Sequence, residues 1–264
     1  MLERISHLNG EAHAEEELIA QNVAGTTYAA GTDTTASTLY TFFLAMLLYP
    51  EVQKRAQEEL ATVVGADRLP AFTDKSRLTY IEAVRKECLR WQSAVPLGLA
   101  YKSIADDEYK GHFILGPSIV MQNNGKSLYA SPISGTTHFD ACGDVRAILQ
   151  DREEHPEPEK FKPERFIKDG KINTGVMDPA VVAFDAGRRI CPGRYFAELS
   201  LFINVTCVLH IFDITPALDT QGKEVKVEPN MTSGFVTHPE PSPCIIKPRS
   251  KLTESLILSK NWEN

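Results

Sequence analysis

The stretch FDAGRRICPG, residues 184–193, places one cysteine among glycines and arginines directly before a strongly apolar segment. Cysteine binds metals as the thiolate, which nearby positive charge and backbone N–H groups stabilise. Two arginines supply that charge, and two glycines let the backbone fold tightly around the sulfur; these are Arg188, Arg189, Gly187 and Gly193. A helix beginning near Arg194 would direct its positive end at Cys191. A single cysteine cannot hold a tetrahedral zinc, but it can be the axial ligand of a heme.

Composition limits the other classes of site. The chain has 264 residues, 42% of them hydrophobic, so it can form a substantial core. Its formal net charge of -7 argues against a broad nucleic-acid surface. Its 5 cysteines are an odd number and form no CxxC pair, which favours neither a disulfide framework nor a cysteine zinc site and suits a reducing compartment.

The chain shows no membrane-directing segment. Its N-terminal residues are acidic and lack the apolar core of a signal peptide. The longest apolar run, YTFFLAMLLYP at residues 40–50, is too short to span a bilayer. It is interpreted as the buried end of a helix.

Periodicity and breakers predict a mainly helical chain with short strands. The long helix at its start has a centre, AAGTDTTAST, that is poor in helix formers and predicts a kink or hinge. The last helix is apolar nearly all round and should be buried. The predicted helices are 11–49, 51–64, 79–92 and 194–212. The predicted strands lie in 97–122, 212–217, 225–229, 234–238 and 244–248. The predicted non-regular segments are 125–147, a coil at 155–166 with two phenylalanine anchors, and a polar loop from 167 to about 180.

The cysteine stretch fits the pattern FxxGxRxCxG in full, which resembles the heme-binding signature of the cytochrome P450 family. The matching residues are Phe184, Gly187, Arg189, Cys191 and Gly193. The resemblance implies that Cys191 ligates the iron, that Arg189 meets a heme propionate, and that Phe184 packs near the sulfur. The two glycines would border the cofactor. Asp185 stands where the family usually has glycine.

A second motif, ECLR at residues 87–90, places Glu87 and Arg90 on one helix face. Alone, such a pair is usually a surface ion pair. Here apolar neighbours make burial plausible, and a buried pair needs further partners, which Arg165 of the KPERF segment offers. The resemblance implies the same triad, so Glu87, Arg90 and Arg165 are interpreted as a structural lock behind the heme.

The third motif is AGTDTT, residues 30–35. In isolation the motif predicts a helix of low intrinsic propensity whose threonine hydroxyls donate to carbonyls of the preceding turn. A functional interpretation is a locally opened helix that holds water or O2. The resemblance is to the family's oxygen-activation motif. It implies that Ala30 and Gly31 border the cofactor, that Asp33 relays protons, and that Thr34 hydrogen-bonds the bound oxygen.

The resemblance implies a mainly α fold with small β-sheets, the C-terminal portion of the cytochrome P450 fold. All three motifs belong to that half of the family's sequence. Residues 1–264 are therefore expected to form a single incomplete domain whose N-terminal half is absent. Residues 125–147 fit the family poorly and are interpreted as an insertion or a retained-intron loop, which could misplace Arg165 relative to its partners.

The implied function is a heme-dependent monooxygenase that inserts one atom of O2 into a lipophilic organic substrate. The implied cofactor is heme b, and the implied partners are a small lipophilic substrate, O2 and an electron donor such as an NADPH-dependent reductase, with no nucleic acid. Apolar residues in 94–100 and 232–238 suit a lipophilic substrate. Tyr101 stands where the family has a histidine or arginine that contacts a propionate. Full-length relatives lie at the endoplasmic reticulum membrane; this chain would be soluble or peripheral. The FKPERF segment suggests a fungal-type member.

Three other classes remain open from the residues. The chain could be a non-catalytic heme-binding fragment or an inactive pseudoenzyme. It could belong to the isomerase and dehydratase branches, although these tend to lose the acid–threonine pair that Asp33 and Thr34 preserve. It could be a zinc or structural cysteine protein, although Cys191 has no nearby partner ligand.

Overall fold

A computed structural model gives the architecture, and it describes residues 7, 10–109, 111–121, 148–185 and 187–258. The segment 125–147 interpreted as an insertion lies outside these residues. In the described part of the chain, helices predominate and the strands form small antiparallel pairs. The helices are α1 (Glu11–Leu48), α2 (Pro50–Val63), α3 (Thr79–Trp91), α4 (Ala180–Ala183), α5 (Arg194–Ile211) and α6 (Lys251–Leu258). Short 3-10 helices cover Phe72–Arg77, Pro163–Phe166 and Gly187–Arg189.

The four helices predicted from periodicity are confirmed, each to within one residue at either end. Their ends follow from ordinary stop and start signals. Pro50 occupies the first turn of α2, where its missing N–H costs nothing. Gly65, with φ 81°, takes the left-handed conformation just beyond α2. Sequence signals of this kind are local, which is why the boundaries are predictable.

The strands are β1 (Ala100–Lys102), β2 (Asp107–Tyr109), β3 (His112–Ile114), β4 (Ile119–Met121), β5 (Ile167–Lys168), β6 (Lys171–Ile172), β7 (Phe212–Pro216) and β8 (Cys244–Pro248). They pair antiparallel as β1–β4, β2–β3, β5–β6 and β7–β8. The longest pairing joins Phe212 to Pro248 and Pro216 to Cys244, so the strand that follows α5 pairs with the strand that precedes α6.

Three predictions about the strands and loops are wrong. Segments 225–229 and 234–238 are not strands; only single bridges form nearby, between Leu218 and Glu224 and between Met231 and Pro239. The predicted polar loop after residue 166 contains the β5–β6 hairpin. Short strands depend on a partner elsewhere in the chain, and alternation alone does not supply that information.

The core lies where α1, α2, α3 and α5 pack together. Its fully buried side chains include Ala45, Leu60, Ile81, Phe202 and Leu209. The prediction that α5 is buried throughout is wrong, because its first turns are exposed while its later turns enter the core. Residues 11–33 of α1 are likewise largely exposed. In the part of the chain that the structure describes, no helix is both long and apolar enough to cross a membrane.

Candidate functional site

The cysteine loop connects α4 to α5 and closes on itself through backbone hydrogen bonds. The N–H of Cys191 donates to the carbonyl of Phe184 at 2.9 Å, and the N–H of Ile190 donates to the carbonyl of Gly187 at 3.3 Å. Gly187 has φ 66°, a conformation that strains other residue types. The loop is therefore a tight turn whose geometry depends on its glycine.

Cys191 is half-buried, and its thiol is free. A Cβ added at Gly193 would lie 3.8 Å from the sulfur, at ordinary contact distance, so Gly193 lies directly beside the sulfur. Arg189 is exposed and forms no hydrogen bond or salt bridge with another described residue. A half-buried free thiol two residues from an exposed guanidinium is a donor set that suits a heme with an anionic propionate. The residues present therefore fit this cofactor.

The other three described cysteines lie in different settings. Cys88 on α3 is fully buried, and burial raises the pKa of its thiol, so it remains protonated. Cys207 is half-buried on α5, and Cys244 is exposed on β8. None of them has the glycine-flanked, arginine-rich sequence around Cys191.

The ExxR motif forms the most deeply buried ion pair among the described residues. The guanidinium of Arg90 donates to both carboxylate oxygens of Glu87 at 2.8 Å, and both side chains are 0% exposed. Arg165 adds a third contact, donating from Nε to Glu87 at 3.1 Å. The structure thus brings together the three residues that the sequence grouped, and Arg165 is not displaced from Glu87 and Arg90.

Backbone groups of the segment before Arg165 complete this cluster. Arg90 donates to the carbonyls of Leu149 and Pro158, each at 2.9 Å. Arg165 donates to the carbonyl of Pro156 at 2.9 Å, and the N–H of Lys162 donates to Glu87 at 2.8 Å. Such additional partners are what a buried ion pair needs to offset its desolvation. The cluster therefore binds α3 to the 156–165 segment.

The AGTDTT motif lies in a continuous α-helix. The expected local opening is absent from α1, and the hydroxyl of Thr34 donates to the carbonyl of Ala30 at 2.8 Å. This back-bonding occupies the one hydrogen that a threonine hydroxyl can donate. A Cβ added at Gly31 would meet nothing within 4 Å, so the helix face beside it is open.

The tail residues 232–238 form a loop that lies against α1 and against the segment following α3. The hydroxyl of Ser37 donates to the carbonyl of Thr237 at 2.5 Å. The N–H of Thr237 donates to the carbonyl of Ala94 at 2.9 Å, and its hydroxyl donates to Ser93 at 3.0 Å. The two segments interpreted as substrate-lining are therefore bonded to one another and to the AGTDTT helix.

The two positions that depart from the family's pattern contact each other. The phenol of Tyr101 donates to the carboxylate of Asp185, and this hydrogen bond raises the pKa of Tyr101. Asp185 has φ 61°, which glycine would adopt without strain. The pair links β1 to the cysteine loop. Sequence reasoning noted both residues, but no local signal indicated that they meet.

The three motif-bearing regions meet in the core. Helices α1, α3 and α5 each pack against the other two. The first carries AGTDTT, the second carries the ExxR pair, and the third begins directly after the cysteine loop. One packed unit thus positions all three motifs relative to one another.

Comparison with known proteins gives a consistent match. The family model described as Cytochrome P450 matches residues 1–125 and 145–245. Cytochrome P450 monooxygenase COX2 of Coprinopsis cinerea is 40% identical over 257 residues, which cover 97% of this chain and 45% of that protein. Cytochrome P450 monooxygenase 208 of Postia placenta is 40% identical over 253 residues, covering 96% of this chain and 45% of that protein.

A third fungal relative, Cytochrome P450 monooxygenase ple1 of Rhodocybe pseudopiperita, is 40% identical over 250 residues. That similarity covers 94% of this chain and 44% of the relative. The chain therefore spans somewhat less than half the length of the curated relatives that it matches.

Proposed function

The chain belongs to the cytochrome P450 family, and we propose that it is the C-terminal portion of a heme-dependent monooxygenase acting on a lipophilic organic substrate. The observation that carries this proposal is the mutual packing of α1, α3 and α5. Each of these helices carries or follows one of the three motifs, and together they would form one wall of a heme pocket.

The cysteine loop would hold heme b. With a thiolate ligand, heme supplies the activation of O2 and the cleavage of its O–O bond. Cys191 would ligate the iron, and Arg189 would pair with a propionate through its planar guanidinium. Phe184 would pack near the sulfur, Gly187 gives the loop its left-handed turn, and Gly193 would border the cofactor beside the sulfur.

The AGTDTT helix would deliver protons on the opposite face. Thr34 donates its own hydrogen to Ala30, so its hydroxyl oxygen is left as an acceptor toward a reacting group. Asp33 is 56% exposed and can exchange protons with water. Ala30 and Gly31 would border the cofactor, with the open face beside Gly31 leaving room for it.

The substrate pocket would be lined by the segment after α3 and by the tail loop. Their apolar side chains are exposed: Leu97 is 49% exposed, Leu99 is 51% exposed and Phe235 is 58% exposed. A lipophilic small molecule would bury this surface.

The buried cluster of Glu87, Arg90 and Arg165 would act as a structural lock behind the heme. It binds α3 to the segment ahead of α4 and the cysteine loop. The electron donor would be an NADPH-dependent reductase, and the site of action would be the endoplasmic reticulum membrane, both by family resemblance.

We further propose that residues 125–147 are an insertion into the family's sequence. The family match supports this, because it stops at residue 125 and resumes at residue 145. Transcript sequencing tests the proposal: a mature transcript without this segment identifies it as a retained intron.

Isotope labelling tests the proposed reaction. The heme-loaded protein, supplied with a reductase and NADPH, is expected to place one atom of ¹⁸O from ¹⁸O2 into a lipophilic substrate. The same reaction in H2¹⁸O should leave the product unlabelled, because the oxygen comes from O2 and not from water. A product without label from ¹⁸O2 would contradict monooxygenase chemistry and favour an isomerase or dehydratase reaction.

A further inference from the structure

Asp33 on α1 contacts a histidine that lies 205 positions later in the chain. Nε2 of His238 is 3.2 Å from Oδ1 of Asp33, within ion-pairing distance. The side chain of Asp33 is 56% exposed, whereas that of His238 is 26% exposed. His238 is the one described residue with which this carboxylate pairs, so the pair determines how the carboxylate is held.

The tail loop positions His238 independently of Asp33. The N–H of His238 donates to the hydroxyl of Thr232 at 3.0 Å, and the N–H of Thr232 donates to the carbonyl of His238 at 2.8 Å. The imidazole ring lies 6.1 Å from the ring of Tyr40, measured between centroids. The backbone of the neighbouring Thr237 is bonded to Ser37. The histidine is therefore already ordered by other contacts when it meets the carboxylate.

We propose that His238 is a positioning residue that orients the carboxylate of Asp33 for proton delivery. The role rests on the proposed function, in which Asp33 relays protons. An exposed aspartate samples several rotamers, and a partner on a fixed loop restricts it to one of them. Ion pairs at the protein surface add little stability. The expected consequence of the pair is therefore on the geometry of proton transfer rather than on folding.

Single and double substitutions test this role through the coupling of NADPH use to product in the heme-loaded protein. His238→Gln removes the imidazole that contacts the carboxylate and is expected to raise the ratio of peroxide to product by about tenfold. This is less than the full contribution of a positioned acid–base group. His238→Lys supplies a cationic partner at the same position and should restore most of the coupling. Adding His238→Gln to Asp33→Asn should cause no further loss, because the two residues act as a unit.

His112→Gln is the matched control, since this exposed histidine lies on the β2–β3 hairpin, and its coupling should equal that of the unaltered protein. Full coupling in His238→Gln would overturn the proposal. So would additive losses in the double variant, or a Lys variant that behaves like the Gln variant.

A second readout needs neither heme nor turnover. The imidazole ¹⁵N chemical shifts of His238 should change in Asp33→Asn, because the ring loses the carboxylate that it contacts. Unchanged shifts would overturn the pairing itself. If the unaltered protein forms no oxygenated product while this shift difference is present, the proposed function fails and the pairing stands.

Discussion

His155 is a buried histidine whose charge opposes folding. Its side chain is fully buried, and its ring nitrogens have no hydrogen-bond partner among the described residues. Burial above all, together with the nearby guanidinium groups of Arg90 and Arg165, lowers the pKa of His155 from its ordinary 6.5 to about 4. The unfolded chain therefore binds a proton that the folded chain excludes.

The lowered pKa of His155 predicts that the folded protein loses stability in acid. Above pH 6.5 His155 is neutral in both the folded and the unfolded chain, and the free energy of unfolding is at its full value. As the pH falls from 6.5 toward 4, the unfolded chain takes up the proton first, which lowers the free energy of unfolding by up to about 3 kcal/mol. His155→Leu should flatten the decrease in the free energy of unfolding over this range, as measured by urea denaturation at several pH values. His112→Gln, at an exposed site, should leave the slope as it is; an equally steep decrease in His155→Leu would refute the assignment.

At the level of single residues, the sequence was sufficient where a motif and a local spacing acted together. Glu87 and Arg90 meet because residues three apart share a helix face. The contact between Asp33 and His238 joins a helix to a loop about two hundred residues away, and so no periodic pattern indicates it. The same reason explains why Tyr101 and Asp185 could be noted but not paired.

At the level of elements, the cluster of Glu87, Arg90 and Arg165 connects α3 to the segment at 156–165. Glu87→Gln leaves two buried guanidinium groups without an anion, which should lower the free energy of unfolding by about 3–5 kcal/mol. Chemical denaturation monitored by tryptophan fluorescence measures the loss, since Trp91 lies at the end of the same helix.

Glu157→Gln is the matched control for this prediction. Its carboxylate pairs with Lys160 at the surface, where solvent screens the interaction, so stability should change little. Similar losses in both variants would mean that the buried cluster has no special stabilising role.

The β5–β6 hairpin carries a local turn signal in its sequence. The β5–β6 hairpin turns at Asp169 and Gly170, which have φ 51° and 72°. An Asp-Gly pair between short apolar runs is a strong signal for a two-residue hairpin turn. By contrast, Thr34 of AGTDTT donates its hydroxyl hydrogen to Ala30 within α1, and poor helix propensity did not open the helix. Tertiary packing of the later part of α1 decided its conformation.

At the scale of the whole molecule, part of the large exposed apolar surface lies on the elements that carry or adjoin the motifs. It includes side chains in the first part of α1, the first turns of α5, the segment after α3 and the tail loop. Examples are Tyr28 at 75%, Phe196 at 76%, Tyr195 at 64% and Phe235 at 58% exposed. In the proposed function, an apolar cofactor and a lipophilic substrate would cover this part of the surface.

The central claim is that Cys191 is the thiolate ligand of a heme, and the carbon-monoxide difference spectrum of the reduced, heme-loaded protein tests it most directly. The unaltered protein and the control Cys244→Ala should both give the Soret band of a thiolate-ligated heme, whereas Cys191→Ala should lose it. A thiolate band that persists in Cys191→Ala would contradict the account.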